Sequence, residues 1–108
     1  MDRKLLFQNW VRSKEDEKEH QKEDEMIFRP ESYDFPLQRE GREAIDLRDD
    51  KTFVQRNPSA NDSYNRTEGS WDIEGNDSLS FDQQNILGKK AQIISLTHDK
   101  LIVKSSNT

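Results

Sequence analysis

The sequence predicts an all-β protein, a small antiparallel up-and-down meander or barrel of about eight short strands. Two observations support this fold class. Apolar residues alternate with polar ones in short runs, which is the pattern of strands with one buried face. Turn residues rich in Gly, Asn and Asp separate these runs, and short strands joined by hairpins are typical of barrels. A short helical turn is expected before the first strand, and the chain is expected to form a single domain.

The clearest element is a hairpin in the second half of the chain. Trp71 and Ile73 alternate with polar residues on its first arm, and Leu79 and Phe81 do so on its second. These apolar residues share one face only if Trp71 lies opposite Phe81 and Ile73 lies opposite Leu79. That register requires a loop with an odd number of residues. The loop is therefore residues 75–77, with one residue in the left-handed conformation.

The first half of the chain supplies the helical turn and further strands. Residues 2–8 have an apolar side, and we expect them to plug one end of the barrel. Trp10 opens the first strand. A later strand enters the core and ends at Arg29-Pro30, because proline donates no ladder hydrogen bond. The next hairpin places Phe53 opposite Leu47.

The last hairpin is expected to close the barrel. Its two-residue loop, His98-Asp99, sets the register of the two strands. Leu96 then lies opposite Leu101, and Ile94 is the next inward residue of the same strand. Residues 104–108 form a polar tail that we expect to fray.

The charged segment from residue 14 to residue 25 has two interpretations. Lysines and glutamates recur at helical spacing, which would make a solvated helix held by ion pairs along its surface. The other interpretation is an exposed hairpin or long loop. We favour the hairpin or loop, because the segment has no apolar stripe with which a helix would dock.

Composition limits the binding partners and the cellular location that we expect for the protein. Charged residues make up 36% of the chain and the net charge is −5, so neither nucleic acid nor an anionic membrane is expected as a partner. The chain has no cysteine, which excludes a disulfide scaffold and thiolate chemistry. No apolar run approaches the roughly 20 residues of a membrane span, and Leu5-Leu6-Phe7 is too short for a signal peptide. A cytoplasmic protein is therefore expected.

No set of catalytic or metal-binding residues stands out. His20 lies among carboxylates that, together with an imidazole, are suitable metal ligands. His98 lies beside Asp99, which could orient the imidazole for general base catalysis. A solvated face and a tight turn explain these residues better. We therefore expect no enzyme activity, no metal and no cofactor.

One loop is rich in residues that anchor interfaces. Tyr33 and Phe35 offer ring area, and Arg39 and Arg42 offer directional hydrogen bonds. The alternative is a loop that folds back over the mouth of the barrel, with Phe35 and Leu37 buried.

Three segments are similar to parts of one known group of proteins. Phe7-Gln8-Asn9-Trp10 forms a helical entry to a tryptophan on the first strand, and residues 69–73 with 79–81 form the central hairpin. Residues 94–101 look like the closing hairpin of bacterial lipocalin-like domains. The chain thus resembles the lipocalin-like, or calycin, small β-barrel proteins. The resemblance implies a barrel that binds a small apolar molecule.

These expectations lead to two hypotheses for a binding protein and a third, least favoured, for a hydrolase or isomerase that uses a carboxylate at the end of the barrel. An eight-stranded barrel is wide enough either to be filled by side chains or to hold one small ligand. In the first hypothesis a small apolar ligand binds between Phe28, Phe53 and Trp71, with Tyr33 and Arg42 on a loop at the mouth. In the second, the protein is an interaction or structural module with a filled core, whose acidic surface and aromatic loop contact a basic protein partner. A monomer and a homodimer paired through an open edge strand both fit the sequence.

Overall fold

The chain folds into one closed barrel of eight antiparallel strands. A 3-10 helix, Arg3–Leu6, precedes the barrel, and one α-helix, α1 (Lys14–His20), follows its first strand. The predicted all-β fold class is confirmed, including the short N-terminal helical turn. The computed structural model describes residues 3–20, 24–35, 42–58, 64–75, 77–83 and 85–105. The strands are β1 (Asn9–Arg12), β2 (Glu25–Pro30), β3 (Ala44–Leu47), β4 (Thr52–Pro58), β5 (Tyr64–Glu74), β6 (Ser78–Phe81), β7 (Lys90–Thr97) and β8 (Lys100–Ser105).

The order of strands around the barrel departs from consecutive pairing at one place. From β3 to β8 each strand pairs with the next, as in a meander. β1 lies between β2 and β3 and is antiparallel to both. The barrel closes where β2 pairs with β8. β2 and β3 consequently run in the same direction, with β1 separating them.

The predicted cross-strand registers are found in three hairpins. Gly75, in the loop between β5 and β6, has a φ of +64°. This is the left-handed conformation that the odd-numbered loop requires, and glycine adopts it without steric cost. The confirmed pairs are Trp71 with Phe81, Ile73 with Leu79, Leu47 with Phe53, and Leu96 with Leu101.

The prediction for Ile94 is wrong, because β7 contains a bulge. The register of β7 against β8 shifts between Ile93 and Ser95. Ile93 lies opposite Val103 and is only 6% exposed, whereas Ile94 is 45% exposed. A bulge inserts one extra residue and so changes which residues point inward on its two sides. Two adjacent isoleucines do not reveal that change.

A cluster of buried apolar side chains lies in the interior of the barrel. Trp10, Phe28 and Phe53 are fully buried in one cluster of apolar residues. Leu6 of the 3-10 helix and Leu87 of the connection between β6 and β7 are fully buried in the same cluster. The N-terminal helix therefore packs into the core of the barrel.

Both tryptophans are tied to backbone carbonyls. The indole Nε1 of Trp10 donates to the carbonyl of Leu6 at 3.1 Å, and that of Trp71 donates to the carbonyl of Arg48 at 3.1 Å. A buried indole N–H needs such a partner. These bonds join the 3-10 helix and the turn between β3 and β4 to the barrel.

Parts of some predictions lie outside the described residues. The first two residues of the expected tail, Lys104 and Ser105, belong to β8. Residues 106–108 lie outside the described residues. Leu37 and Arg39 of the aromatic loop also lie outside the described ranges. Within those ranges no helix has both the length and the apolar character to cross a membrane.

Candidate functional site

The favoured interpretation of the charged segment, a hairpin or long loop, is wrong for residues 14–20, which form α1. None of the seven residues of α1, all of which the structure describes, is buried. α1 therefore has no apolar stripe, as the sequence indicated, but it still packs against the barrel. Ion pairs with the barrel take the place of apolar contacts.

Three consecutive carboxylates of α1 each bind one arginine from outside the helix. In every pair both carboxylate oxygens accept hydrogen bonds from one guanidinium, which is the strongest geometry for this kind of pair. We call these three pairs the arginine clamp. Its members are Glu15 with Arg42 (2.6 and 2.5 Å), Asp16 with Arg29 (2.9 and 3.3 Å), and Glu17 with Arg12 (2.9 and 3.0 Å).

The arginines of the clamp come from three neighbouring segments of the barrel. Arg12 ends β1, Arg29 lies in β2, and Arg42 precedes β3 by two residues. Because β1 lies between β2 and β3, the strand order brings these segments side by side. The unusual position of β1 is therefore what gathers the arginines under one short helix.

Two of the three clamp arginines also contact an aromatic ring. The guanidinium of Arg29 lies 4.5 Å from the centre of the Tyr33 ring, and that of Arg42 lies 4.6 Å from the centre of the Phe35 ring. The two rings contact each other edge to face, with their centres 5.1 Å apart. Together these four side chains form a continuous row, which we call the arginine–aromatic row. Each cation in it gains attraction from a ring face as well as from a carboxylate.

Two carboxylates of the clamp, Glu15 and Asp16, have lowered pKa values and stay charged at neutral pH. Hydrogen bonds from Arg42 lower the pKa of Glu15 to about 2, and those from Arg29 lower the pKa of Asp16. Hydrogen bonds to Glu17, Asp16 and Glu15 raise the pKa of Arg12, Arg29 and Arg42, respectively. Hydrogen bonding to the charged form is the cause in each case.

One further hydrogen bond stabilises the start of α1, and another joins α1 to β2. The hydroxyl of Ser13 donates to Asp16 at 2.7 Å at the start of the helix. The carboxylate of Glu17 accepts a hydrogen bond from the backbone N–H of Ile27 at 3.3 Å. Ile27 is buried but does not belong to the interior cluster, and its neighbour Phe28 points inward. Because side chains alternate along a strand, Ile27 faces outward, on the side where α1 packs against β2.

The residues predicted for ligand binding divide into two groups. Phe28, Phe53 and Trp71 lie together in the interior cluster, with Trp71 only 3% exposed. Tyr33 and Arg42 belong to the arginine–aromatic row outside that cluster. The structure therefore brings together the three interior rings but does not place the two loop residues with them.

An open cleft adjoins the loop that carries Tyr33. It has a volume of about 410 Å³. The backbone N–H of Tyr33 donates to the carbonyl of Pro30 at 2.9 Å, so a turn holds the tyrosine near the cleft. The residues that line it are Gln8, Asn9, Pro30, Glu31 and Ser32.

Sequence reasoning missed the clamp because its partners are far apart in the chain. Glu15 and Arg42 are 27 residues apart. One local signal was present, since a serine before a first turn with three acidic residues is typical of a helix start. Acidic side chains in a first turn also interact favourably with the helix dipole. That signal would have identified the helix but not its arginine partners.

The histidine at the end of α1 has a carboxylate partner. Nε2 of His20 lies 2.8 Å from a carboxylate oxygen of Glu25. Among the described residues, no group of three or more His, Cys, Asp or Glu side chains is placed to hold a metal ion. His20 and Glu25 thus form a pair that links the end of α1 to the start of β2.

Comparisons with known proteins give no relative from which a function could be transferred. No protein-family model matches the chain, and searches of curated proteins and of solved structures find no match. A function therefore has to be proposed from the chain's own geometry.

Proposed function

We propose that this protein is a binding module, without catalysis, that contacts a basic protein segment through Tyr33 and the neighbouring cleft. The observation that carries the proposal is the Tyr33 side chain, which is 37% exposed, is held by Arg29 and directly follows Ser32 of the cleft lining. The loop after β2 and the cleft are together called the loop surface below.

The packed interior favours a surface interaction. Phe28 and Phe53 are fully buried, and Phe53 packs edge-on against Phe81 with ring centres 5.3 Å apart. Protein interiors are packed as densely as organic crystals, so a ligand between these rings would have to push them apart. The loop surface needs no such rearrangement.

Tyr33 has the properties of an interface anchor. Its side chain is large and amphipathic, and the residue is 37% exposed. Arg29 and Phe35 already contact its ring, at 4.5 and 5.1 Å between centres. Less conformational freedom is therefore lost when a partner binds, which increases affinity.

The charges around Tyr33 favour a basic partner. Glu31 and Asp34 flank it and are exposed, and the whole chain carries a net charge of −5. An arginine or lysine of a partner would meet carboxylates and the free part of an aromatic ring, which both attract cations. The proposed partner is therefore a protein segment that contains such residues.

A peptide array provides the test. Immobilised random peptides of matched length and varied charge are probed with the labelled full chain, and we expect retention on Lys- and Arg-containing peptides. Tyr33→Ala should weaken binding at least tenfold, as expected for an interface anchor. Phe7→Ala is the matched control, because Phe7 is also 37% exposed but contacts Trp71 instead. Equal retention of neutral and basic peptides, or equal loss with both variants, would count against the proposal.

The lipocalin-like relationship and its apolar ligand also remain proposals. The closed eight-stranded barrel and the helical entry to Trp10 support the relationship, whereas the position of β1 differs from an up-and-down barrel. Native mass spectrometry separates the two functions. A bound mass lost on denaturation would favour an interior ligand, and a bare 12.8 kDa species or a multiple of it would favour the module. A cytoplasmic location stays a prediction.

A further inference from the structure

α1 is held to the barrel as a bound ligand would be. It has seven residues, none of them buried, and isolated helices of that length are unstable in water. Its conformation therefore depends on its contacts with the barrel. The clamp supplies the main ones, in three bidentate pairs between the helix and the barrel segments.

The arginines of the clamp have supports that do not involve α1. A guanidinium held from a second side keeps its position when its carboxylate leaves, so the binding geometry is formed in advance. The supports are the ring of Tyr33 at 4.5 Å and the carbonyl of Asp99 at 3.2 Å for Arg29, the ring of Phe35 at 4.6 Å for Arg42, and the carboxylate of Glu43 at 3.5 Å for Arg12.

We propose that the three clamp arginines form a binding site for an acidic segment of a partner protein, and that α1 occupies this site within the chain until the partner displaces it. This acidic partner is distinct from the basic partner proposed for the loop surface, and Arg29 contacts both α1 and Tyr33. A partner segment would resemble residues 13–17, with a hydroxyl residue at the helix start followed by consecutive carboxylates.

Charge complementarity selects the chemistry of that segment. Removing α1 without a replacement would break all three two-pronged arginine–carboxylate pairs. A segment with three carboxylates at the same spacing restores every bond, whereas a neutral segment restores none of the charge-assisted ones. Arginine forks match planar carboxylates in two-pronged geometry, which favours a protein segment of this kind.

Displacement is limited by the tether of α1 to the barrel. A segment in the same chain competes at an effective concentration that is in the millimolar range for short linkers. A free acidic peptide therefore binds the wild-type chain weakly. If the carboxylates of α1 are neutralised, the internal competitor is weakened and the peptide should bind more tightly.

The test compares full-length variants by fluorescence anisotropy. The probe is a labelled, end-blocked peptide with the sequence of residues 13–20, and a second peptide carries amides in place of its three clamp carboxylates. We expect the triple variant Glu15→Gln, Asp16→Asn, Glu17→Gln to bind the acidic probe at least about tenfold more tightly than the wild type. Binding should weaken with added salt and be lost with the amide peptide. Glu19→Gln is the matched control, because Glu19 lies on α1 but outside the clamp.

A second measurement covers a triple variant that fails to fold. In the wild-type chain, a high concentration of the acidic probe should increase amide hydrogen exchange of residues 14–20, because it releases α1. Equal binding of the acidic and amide peptides to the folded triple variant would overturn the proposal, as would unchanged exchange of α1. Equally strong competition by inorganic polyphosphate would also overturn it, since the site would then recognise charge without the carboxylate spacing.

Discussion

Substitution of Gly69 by alanine tests how tightly β5 packs against its neighbours. Gly69 lies opposite Phe53 in the pairing of β5 with β4. A Cβ atom on Gly69 would lie 2.9 Å from Cε1 of the Phe53 ring and 2.9 Å from Cγ of Gln83, and it would overlap the carboxylate of Asp82. Real Cβ atoms do not approach other atoms so closely, so these groups must shift.

The expected loss of stability follows from three contributions. Phe53 is fully buried, and one extra methyl group in a packed core costs about 1–3 kcal/mol. Asp82 accepts a hydrogen bond from the backbone N–H of Ser70 at 2.6 Å, and losing that bond costs about 1 kcal/mol. Alanine recovers about 0.5–1 kcal/mol, because glycine loses more conformational freedom on folding. The net decrease in the free energy of unfolding is about 2 kcal/mol.

Thermal and urea unfolding, followed by tryptophan fluorescence, measure this decrease. For a domain of this size, 2 kcal/mol corresponds to a Tm about 8 °C lower. In a Phe53→Leu background the ring atom nearest to the new methyl group is absent, so Gly69→Ala should cost about 1 kcal/mol less there. An unchanged or higher Tm, or the same cost in both backgrounds, would refute the reasoning.

Three further predictions concern α1, the 3-10 helix and the central loop. Arginine hydrogen bonds lower the pKa of Glu15 to about 2 and also lower that of Asp16, so the stability they give α1 is complete above the ordinary carboxyl pKa and is lost as the pH falls toward about 2. Without added peptide, circular dichroism and hydrogen exchange should show α1 released in that pH range, and release at neutral pH would contradict this. Trp10→Phe removes the bond to the Leu6 carbonyl and should lower the free energy of unfolding by about 1–3 kcal/mol in urea titrations; an unaltered midpoint would show that the bond contributes little. Gly75→Ala places its methyl group in open space, but the φ of +64° is unfavourable for alanine, so the free energy of unfolding should fall by about 1 kcal/mol. Gly75→Asn should lower it less, since asparagine tolerates this conformation.

Local patterns were sufficient to predict the strands and most registers. The alternation of Trp71 with Ile73 and of Leu79 with Phe81 combines with the parity of the loop between them, and only one register buries both arms. Phe53 and Leu47 follow from the same logic. This information lies within about a dozen residues, which is why a single sequence contains it.

Features that depend on the closed barrel were not predictable in this way. The place of β1 between β2 and β3 depends on its pairing with β3, a strand that does not follow it directly in the chain. Arg42 meets Glu15 only because that strand order brings their segments together. The bulge near Ile94 likewise depends on how β7 has to bend to follow the barrel. Each is a long-range consequence of the fold and leaves no periodic signal.

The seam between β2 and β8 has a consequence for how the chain folds as it is synthesised. β1, β2 and β3 can pair early, and β4 to β7 can then add one at a time in the order of translation. β8 supplies the partner for the second edge of β2, with Leu101 opposite Phe28. Until β8 emerges from the ribosome, β2 presents an open edge on which other chains can add strands. Chaperone binding to nascent chains of increasing length should therefore persist until β8 is available.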